Sequence, residues 1–495
     1  MKLTELINNV TVVHIAGNNA EFDVRGITFD SRSVKDGWMF VAIKGFKTDG
    51  HKFISQAIAN GANAIVVEDG CDYDENIIHN SKNVLIVVKN SRKALAEFSN
   101  VFYGNPSRKL TVIGITGTKG KTTASYFLKN ILETAGEKVG LIGTIKNMIG
   151  DRIVKTSLTT PEANEINRLM SEMVAEGCKY CVMEVSSHSL ELYRAHGINF
   201  DFAVFTNLTS DHMDFHKTKE NYLAAKKILF DGLNENAKIV FNKDDENYKA
   251  LLKDSPAEKY SYGLNDEADF RIGNIDFDFG GTRFAVLHNG EKYELKTRLV
   301  GMFNAYNAGA AFAAALLAGK DADKIIEGIE TTPQIPGRFE ILSNGKKKAI
   351  IDFSHTAGSL KEALISVNKI AEKEDPPSPV YTVFGCGGDR DKTKRPAMGR
   401  YATEMSKKAF ITSDNPRTED PMKIIEDILK GITSDNFEVI EEREEAIKKS
   451  ILETEENAVI LIGGKGHEDY QLINGVKRHF SDKEIAQKYL DLCRN

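Results

Sequence analysis

An apolar run, Leu110-Thr111-Val112-Ile113-Gly114-Ile115, gives way to Gly117-Thr118-Lys119-Gly120-Lys121-Thr122-Thr123, and a helix-like stretch over residues 124–132 follows. Strand, glycine-rich turn and helix in that order commit the middle of the chain to an α/β architecture. Such a loop needs a strand to deliver it and a helix N-terminus to complete it. Glycines let backbone N–H groups curl around anionic oxygens, and the helix N-terminus adds partial positive charge. Lys121 is placed to neutralise a terminal phosphate, and the Thr122 hydroxyl to ligate Mg²⁺. The usual phosphate loop has a glycine five positions before the Gly of Gly-Lys; here Ile115 stands there, so this is a shortened variant. The loop implies a triphosphate without saying what it is used for.

The rest of the chain repeats the alternation. Its 495 residues suit about three domains. Residues 1–107 mix short strand-like and helix-like pieces, for example residues 62–68, and end in the linker-like Tyr103-Gly104-Asn105-Pro106-Ser107. Residues 108–333 carry apolar runs at 139–142, 181–185, 202–205 and 238–241, with helix-like stretches at 162–176 and 221–230. This pattern predicts a largely parallel, doubly wound sheet covered on both faces. Pro333 and Pro336 mark the next boundary. Residues 334–495, with runs at 349–353, 380–384, 408–412 and 458–462, read as a second α/β domain of Rossmann type.

Bulk properties narrow the function classes. A net charge of −6 leaves no electrostatic footprint for nucleic acid. The N-terminus does not read as a signal peptide, and no apolar run approaches the ~20 residues of a membrane span. The five cysteines are scattered, and Cys178 and Cys181 form a lone Cys-x-x-Cys at the start of an apolar strand. They read as packing residues of a reduced compartment, and the cytoplasm is the expected location.

Several polar clusters follow the apolar runs. Glu184 ends one run, beside Ser186, Ser187 and His188, where a carboxylate can hold Mg²⁺. Thr206-Asn-Leu leads into Asp211, His212, Asp214 and His216, which suit a second divalent ion or an anionic substrate. Lys226 lies on a helix and by pattern alone faces solvent. Asn242-Lys243-Asp244-Asp245 matches the Asn-Lys-x-Asp that reads guanine and opens a competing reading, a GTPase switch. Against it, the strand at Glu184 continues as Val185-Ser186 rather than Asp-x-x-Gly, and a switch leaves the last α/β domain without a use. Near the C-terminus, loops at residues 352–356, 385–391, 414–417 and 463–468 follow strands. Their mixture of Arg, Asn, Asp and Glu suits a small zwitterion.

In combination these motifs resemble the Mur ligase family of peptidoglycan synthesis, and within it the enzymes that add the third amino acid to UDP-N-acetylmuramoyl-L-alanyl-D-glutamate. The resemblance covers nearly the whole chain. It is carried by Asp30-Ser31-Arg32, residues 117–123, Thr159-Thr160-Pro161, Met183-Glu-Val-Ser-Ser-His188, Thr206-Asn-Leu, Asp211-His212 and Ala224-Ala225-Lys226. Asn304 and Asn307, Gly337-Arg338-Phe-Glu340, Asp414-Asn-Pro-Arg417 and Gly464-Lys-Gly-His-Glu468 complete it.

The resemblance implies an ATP-dependent amide-bond ligase working through an acyl phosphate. Residues 1–107 would bind the UDP-sugar, 108–333 ATP, and 334–495 the amino acid. It implies that Lys121 stabilises the transferring phosphoryl group. Thr122, Glu184, His212 and a carbamate formed from CO₂ on Lys226 would hold a pair of Mg²⁺ ions; the carbamate needs a neutral amine, which burial favours. Gly117, Thr118, Lys119, Gly120, Thr123, Asn304, Asn307, Arg338 and His355 would surround the nucleotide. Phe29, Ser31, Phe46, Lys47 and Thr48 match positions near the uridine diphosphate, and Thr159, Thr160, Ser186 and Arg194 positions nearer the muramoyl peptide. Arg390, Asp414, Asn415, Arg417, Gly464 and Glu468 match the grip on the amino acid. Asp-Asn-Pro-Arg is the form associated with meso-diaminopimelate, whose distal carboxylate Arg417 can pair with bidentately. L-Lysine or lanthionine are the alternatives within the class. A ligase-like binding protein without turnover is a further alternative. A monomer is expected, with a C-terminal domain that swings. The chain departs from the family at Ala357-Gly358, where Pro-Asp is common; the change is expected to loosen that loop. Leu158, Leu192 and Lys119 also replace common polar residues.

Overall fold

A computed structural model of the chain describes residues 1–17, 21–46, 48–73, 83–156, 158–209 and 211–493. Lys47 lies outside the described residues. The chain divides into two compact units. One comprises residues 1–208, 220–261 and 313–320; the other comprises 209–219, 262–312 and 321–495.

The first unit holds two sheets. Near the N-terminus, strands run in the order His14–Ala16, Val84–Val88, Ala62–Glu68, Trp38–Val41 and Gly26–Thr28, all parallel except the first. Alternate residues face opposite sides, as the pleat requires. Met39, Val41, Ala64, Val66, Ile86 and Val88 pack into one core, and Phe40, Ala42, Ile65, Val67 and Leu85 into another.

In the second sheet of this unit, five neighbouring strands lie parallel in the order Lys238–Asn242, Phe202–Phe205, Thr111–Thr116, Tyr180–Glu184 and Val139–Ile142. These central strands are buried along nearly their whole length, which is why they read as unbroken apolar runs rather than alternating ones. The chain leaves Thr111–Thr116 toward one side of the sheet and later returns on the other. The strand order therefore reverses at Thr116, and ligands of doubly wound sheets bind outside the C-terminal ends of strands at such a point. Residues 117–123 lie there. The helix after them runs over Lys121–Thr134, beginning earlier than residue 124, because Lys121 and Thr122 already belong to its first turn.

The second unit contains a six-stranded sheet in the order Glu340–Ser343, Lys348–Asp352, Val459–Gly463, Val380–Phe384, Lys408–Ile411 and Phe437–Val439, parallel except at the first strand. Helices Ala357–Ala371, Arg395–Glu404 and Pro421–Leu429 contribute to one core, and Arg443–Leu452 and Asp482–Leu492 to the other. Gly463 is in register with both Asp352 and Phe384, and Phe384 with Ile411. Four strands thus end level, and the loops that follow them leave the same edge of the sheet. The unit also includes an antiparallel trio, Phe270–Asp278, Gly281–His288 and Glu291–Thr297. A hairpin pairs Tyr470–Ile473 with Val476–His479. Among the described residues, no helix is long and apolar enough to cross a membrane.

Candidate active site

The phosphate loop is braced from behind by the next strand's loop. Asn207 accepts the Thr118 N–H through its carbonyl at 2.8 Å and the Lys119 N–H through Oδ1 at 3.0 Å. Its own Nδ2 and the Thr206 hydroxyl donate to the Lys119 carbonyl at 3.2 and 2.6 Å. A Cβ on Gly117 would collide with Thr206 Oγ1, and Gly117 and Gly120 hold φ values of 150° and 87°. Close approach and left-handed backbone both demand glycine there. Gly120 occupies the N-cap of helix Lys121–Thr134 and brings no side chain to the end of the helix that attracts anions.

Four of the expected residues meet at this loop. Lys121 Nζ donates to the carbonyls of Gly117 and Thr118 at 2.9 and 3.0 Å. Thr122 Oγ1 donates to Glu184 Oε2 at 2.9 Å. Glu184 is 1 % exposed, and Thr144 also serves it, through its N–H at 2.8 Å and its hydroxyl at 2.9 Å. A Cβ on Gly143 would lie 2.5 Å from Glu184 Oε1. Lys226, contrary to its pattern as a solvated helix position, is 1 % exposed. Its Nζ donates to the Gly117 carbonyl at 2.8 Å and lies 4.7 Å from the Tyr222 ring centre. Tyr222 OH is in turn 3.1 Å from Thr118 Oγ1. Helix Lys219–Asp231 therefore presents Tyr222 and Lys226 to the loop because they are one turn apart on a single face.

This set fits Mg²⁺. Glu184 and Thr122 supply hard oxygen donors beside a phosphate loop, and Mg²⁺ usually takes one or two carboxylates plus substrate phosphates and water. An ammonium at Lys226 is a donor and no ligand, whereas a carbamate there would present two oxygens. Thr144 and Gly143 were not legible in the sequence. Their only signal is position, in the loop after the strand that neighbours the Glu184 strand.

Around the same unit, Thr160 Oγ1 donates to the Glu184 carbonyl at 2.8 Å, and Thr159 Oγ1 lies 3.2 Å from Thr144 Oγ1. Ser186 caps the short helix Ser187–Glu191. Arg194 pairs with Glu162 at 2.8 Å and donates to the Thr160 carbonyl at 3.3 Å. Ser31 is buried and donates to Gln56 Oε1 at 2.8 Å, whereas Phe29 and Phe46 are exposed at 38 % and 75 %. Thr48 is exposed and accepts the Gly45 N–H through its carbonyl.

The guanine-like motif is consumed internally. Asn242 Nδ2 donates to the Thr206 carbonyl at 2.8 Å, while its Oδ1 accepts the Asp244 N–H. Asp245 accepts the N–H groups of Leu208 and Asn247. Asn242 and Asp245 steady the loop behind the phosphate site instead of facing a base.

The other expected residues belong to the second unit. His212 is exposed, has φ 56°, and lies 3.6 Å from Asp211 Oδ2. Asn304 and Asn307, on helix Met302–Leu317, are buried; Asn304 donates to the Val300 carbonyl and accepts from Asn307. Arg338 lies 5.0 Å over the Phe353 ring. His355 donates through Nδ1 to the Phe353 carbonyl at 3.0 Å, and burial, then the Lys394 charge, push its pKa down. The Ala357-Gly358 departure does not leave the next helix uncapped. Thr356 and Ser359 form a reciprocal capping box that fixes its start.

The loops expected to take the amino acid meet at the C-terminal ends of the sheet's strands. Asn415 Nδ2 donates to Glu468 Oε2 at 2.7 Å, and buried Lys465 lies 3.3 Å from Asn415 Oδ1 and 3.4 Å from Glu468 Oε2. Burial, then the nearby Asp414, raise the Glu468 pKa. A Cβ on Gly464, which has φ 118°, would lie 2.6 Å from Asp414 Oδ2. Arg417 Nη1 donates to the Gly388 carbonyl at 2.6 Å, and Arg390 is exposed. The cysteines of the Cys-x-x-Cys are buried, and burial raises both thiols.

A doubly wound sheet with a braced phosphate loop, and a Rossmann-like sheet whose loops gather polar side chains, define a class of nucleotide-dependent ligases: the chain belongs to the Mur ligase family. Residues 23–103 match the Mur ligase family catalytic domain, 115–315 the Mur ligase middle domain and 337–466 the Mur ligase glutamate ligase domain. Within the family, it is 42 % identical over 494 residues to UDP-N-acetylmuramoyl-L-alanyl-D-glutamate–2,6-diaminopimelate ligase 1 of Clostridium acetobutylicum, covering 99 % of both chains. The similarly named ligase of Aquifex aeolicus is 43 % identical over 468 residues, 94 % of each chain. A solved structure of a UDP-N-acetylmuramoyl-L-alanyl-D-glutamate–2,6-diaminopimelate ligase superposes with a TM-score of 0.69 at 28 % identity over 99 % of both chains. The fold is also that of the MurF ligase from Thermotoga maritima in complex with ADP, with a TM-score of 0.66 at 20 % identity over 95 % of this chain and 98 % of that one.

Proposed function

We propose that the chain is an ATP-dependent ligase that joins 2,6-diaminopimelate, in its meso form, to the D-glutamate of UDP-N-acetylmuramoyl-L-alanyl-D-glutamate during peptidoglycan precursor synthesis. The observation that carries this reading is full-length likeness to ligases of that name, joined to the Thr122–Glu184 pair beside a phosphate loop. Residues 1–107 would take the UDP end, with Phe29, Ser31, Phe46, Lys47 and Thr48 as contacts. Residues 108–333 would hold ATP and the muramoyl peptide, the latter through Thr159, Thr160, Ser186 and Arg194. Residues 334–495 would hold the amino acid. The protein is taken to act as a cytoplasmic monomer.

In this reading, residues 117–123 grip the phosphates, and Lys121 turns from the loop carbonyls to the transferring phosphoryl group. Asn304, Asn307, Arg338 and His355 would complete the nucleotide site. The D-glutamate carboxylate attacks the γ-phosphorus and ADP leaves. The diamino acid's amine then attacks the acyl carbon, loses a proton, and the tetrahedral intermediate expels phosphate to leave the amide. Thr122, Glu184, His212 and a carbamate on Lys226 are the candidate Mg²⁺ ligands, and bound Mg²⁺ would offset the charge that gathers as two anions approach. Arg417 would pair with the distal carboxylate of diaminopimelate, while Arg390, Asp414, Asn415, Gly464 and Glu468 would orient its near end.

Phosphate release tests the proposal. Purified protein with ATP, Mg²⁺ and the UDP-dipeptide is given meso-diaminopimelate, L-lysine or lanthionine in parallel, with GTP as a second nucleotide. Release is expected to need both ATP and amino acid, and to be fastest with diaminopimelate. No release with any amino acid would overturn the ligase reading; a preference for lysine would overturn the role given to Arg417.

A further inference from the structure

Two loops hold residues given to the diamino acid, and a buried hub joins them. One follows strand Val380–Phe384 and runs through Gly387, Gly388 and Asp389; the other follows Lys408–Ile411 and runs from Asp414 to Glu419. Arg395, fully buried on helix Arg395–Glu404, lies at the hub. Its Nη1 reaches Glu419 Oε2 at 3.1 Å and its Nη2 reaches Glu419 Oε1 at 3.0 Å, a two-pronged pairing. The same guanidinium reaches Asp427 at 3.0 Å and the Gly387 carbonyl at 3.3 Å. Glu419 accepts the Asp389 N–H at 2.6 Å and pairs with Lys392 at 3.0 Å. Asp389 in turn accepts the Thr418 hydroxyl at 2.9 Å.

Arg417 hangs between these contacts. The Gly388 N–H donates to the Asn415 carbonyl at 3.0 Å, and a Cβ on Gly388 would overlap the Pro416 carbonyl. The Arg417 N–H donates to the Leu472 carbonyl at 3.0 Å, and its carbonyl accepts the Asn474 N–H at 2.6 Å, so hairpin Tyr470–His479 grips it from the other side. Asp389 and Arg417 have φ values of 52° and 54°. Non-glycine residues persist in that conformation only where the surroundings over-determine it, and such places cluster at functional sites.

We propose that Arg395 and Glu419 are positioning residues for Arg417, and that their pairing sets how tightly the enzyme grips the distal carboxylate of its diamino acid. The proposal rests on the ligase reading above and deepens it at one site. A two-pronged guanidinium–carboxylate contact tolerates little displacement, and a misplacement of about 1 Å can cost on the order of a hundredfold. Freeing the Asp389 N–H and the Gly387 carbonyl from the hub releases the loop whose Gly388 carbonyl holds the Arg417 side chain. In the ligase reading the nucleotide is held by other residues, so its binding is expected to be unchanged.

The test uses the full chain carrying Arg395→Lys, which keeps the charge but loses the fork, and separately Glu419→Gln, which keeps the shape but loses the charge. KM for meso-diaminopimelate, KM for ATP and kcat are measured for both variants, with Arg417→Ala as reference. KM for diaminopimelate is expected to rise about tenfold or more, as with Arg417→Ala, while KM for ATP stays within about twofold. Turnover of L-lysine, where measurable, should not fall in parallel. An unchanged KM for diaminopimelate, or equal losses toward ATP and diaminopimelate, would overturn the proposal. If Arg395→Lys fails to fold, Glu419→Gln decides alone. Absence of turnover in the unmodified protein would instead sink the ligase reading, and would be seen first.

Discussion

At Glu184 one buried carboxylate is served by two hydroxyls and a backbone N–H. Glutamine fits the same space and its carbonyl oxygen can still accept from Thr144, so Glu184→Gln should fold normally. It removes the negative charge that the Mg²⁺ reading requires. The expected outcome is a fall in kcat of about a hundredfold or more and a higher Mg²⁺ requirement, read by phosphate release across a Mg²⁺ titration. Wild-type rate and Mg²⁺ dependence would remove Glu184 from the metal reading. Single residues were legible in the sequence to very different degrees. Lys121 and Thr122 lie in a contiguous motif with a physical signature. Lys226 is distinguished only by facing the Gly117 carbonyl from a helix more than a hundred residues away, a long-range fact that pattern does not carry. Asn242 and Asp245 are the converse: a local motif with a nucleotide-reading signature whose side chains brace a neighbouring loop.

Among elements, the parallel strands that form unbroken apolar runs, such as Val139–Ile142, Phe202–Phe205 and Val380–Phe384, were placed to within a residue or so because both their faces are buried, whereas the parallel strands Gly26–Thr28, Trp38–Val41, Val84–Val88 and Phe437–Val439 were not singled out. The antiparallel trio of residues 270–297 went unread. Its strands are half exposed and carry many charged residues, so one face satisfies the core while the other resembles a loop. Hairpin Tyr470–His479 escaped for the same reason, since none of its strand residues is fully buried. Helix Asp482–Leu492 is tied to the sheet by a feature that composition hides. Arg443 and Asp482 are both fully buried, pair at 2.7 and 2.8 Å, and the same guanidinium donates to the Gly463 carbonyl at 3.0 Å. Asp482→Asn leaves a buried guanidinium uncompensated and should cost about 3–5 kcal/mol in urea unfolding. Replacing both partners by apolar residues of similar volume should cost less than the single change. A single change costing less than about 1 kcal/mol would mean that Arg443 finds another acceptor or water.

Over the whole molecule, the perturbed groups give stability a definite dependence on pH. Burial, then the Arg338 charge, hold His467 at about 4 against an ordinary 6.5, and His355 is pushed the same way. As pH falls from 6.5 toward 4, the unfolded chain takes up protons that the folded chain refuses, so stability falls with pH. Two glutamates extend the loss. The Arg395 contact holds Glu419 at about 2. Burial pushes Glu455 up, but hydrogen bonds from Lys407 and Tyr381 outweigh it and hold Glu455 at about 2 as well. Their contribution is complete above the ordinary 4.5 and is lost as pH falls toward 2. Glu468, Glu165 and Asp201, raised chiefly by burial, and exposed His479, raised by its Glu484 contact, work in the opposite sense. Net charge alone predicts another trend: acidifying a chain of charge −6 first brings it toward neutrality and relieves self-repulsion. Melting temperature should therefore fall between pH 7 and 5, by about 2–4 °C for each kcal/mol lost, while global charge would make it rise or stay level. His467→Asn removes one of the two imidazoles whose pKa is pushed down, so its melting temperature should change less over that interval than that of the unmodified protein. Identical slopes for variant and unmodified protein would show that His467 does not drive the loss.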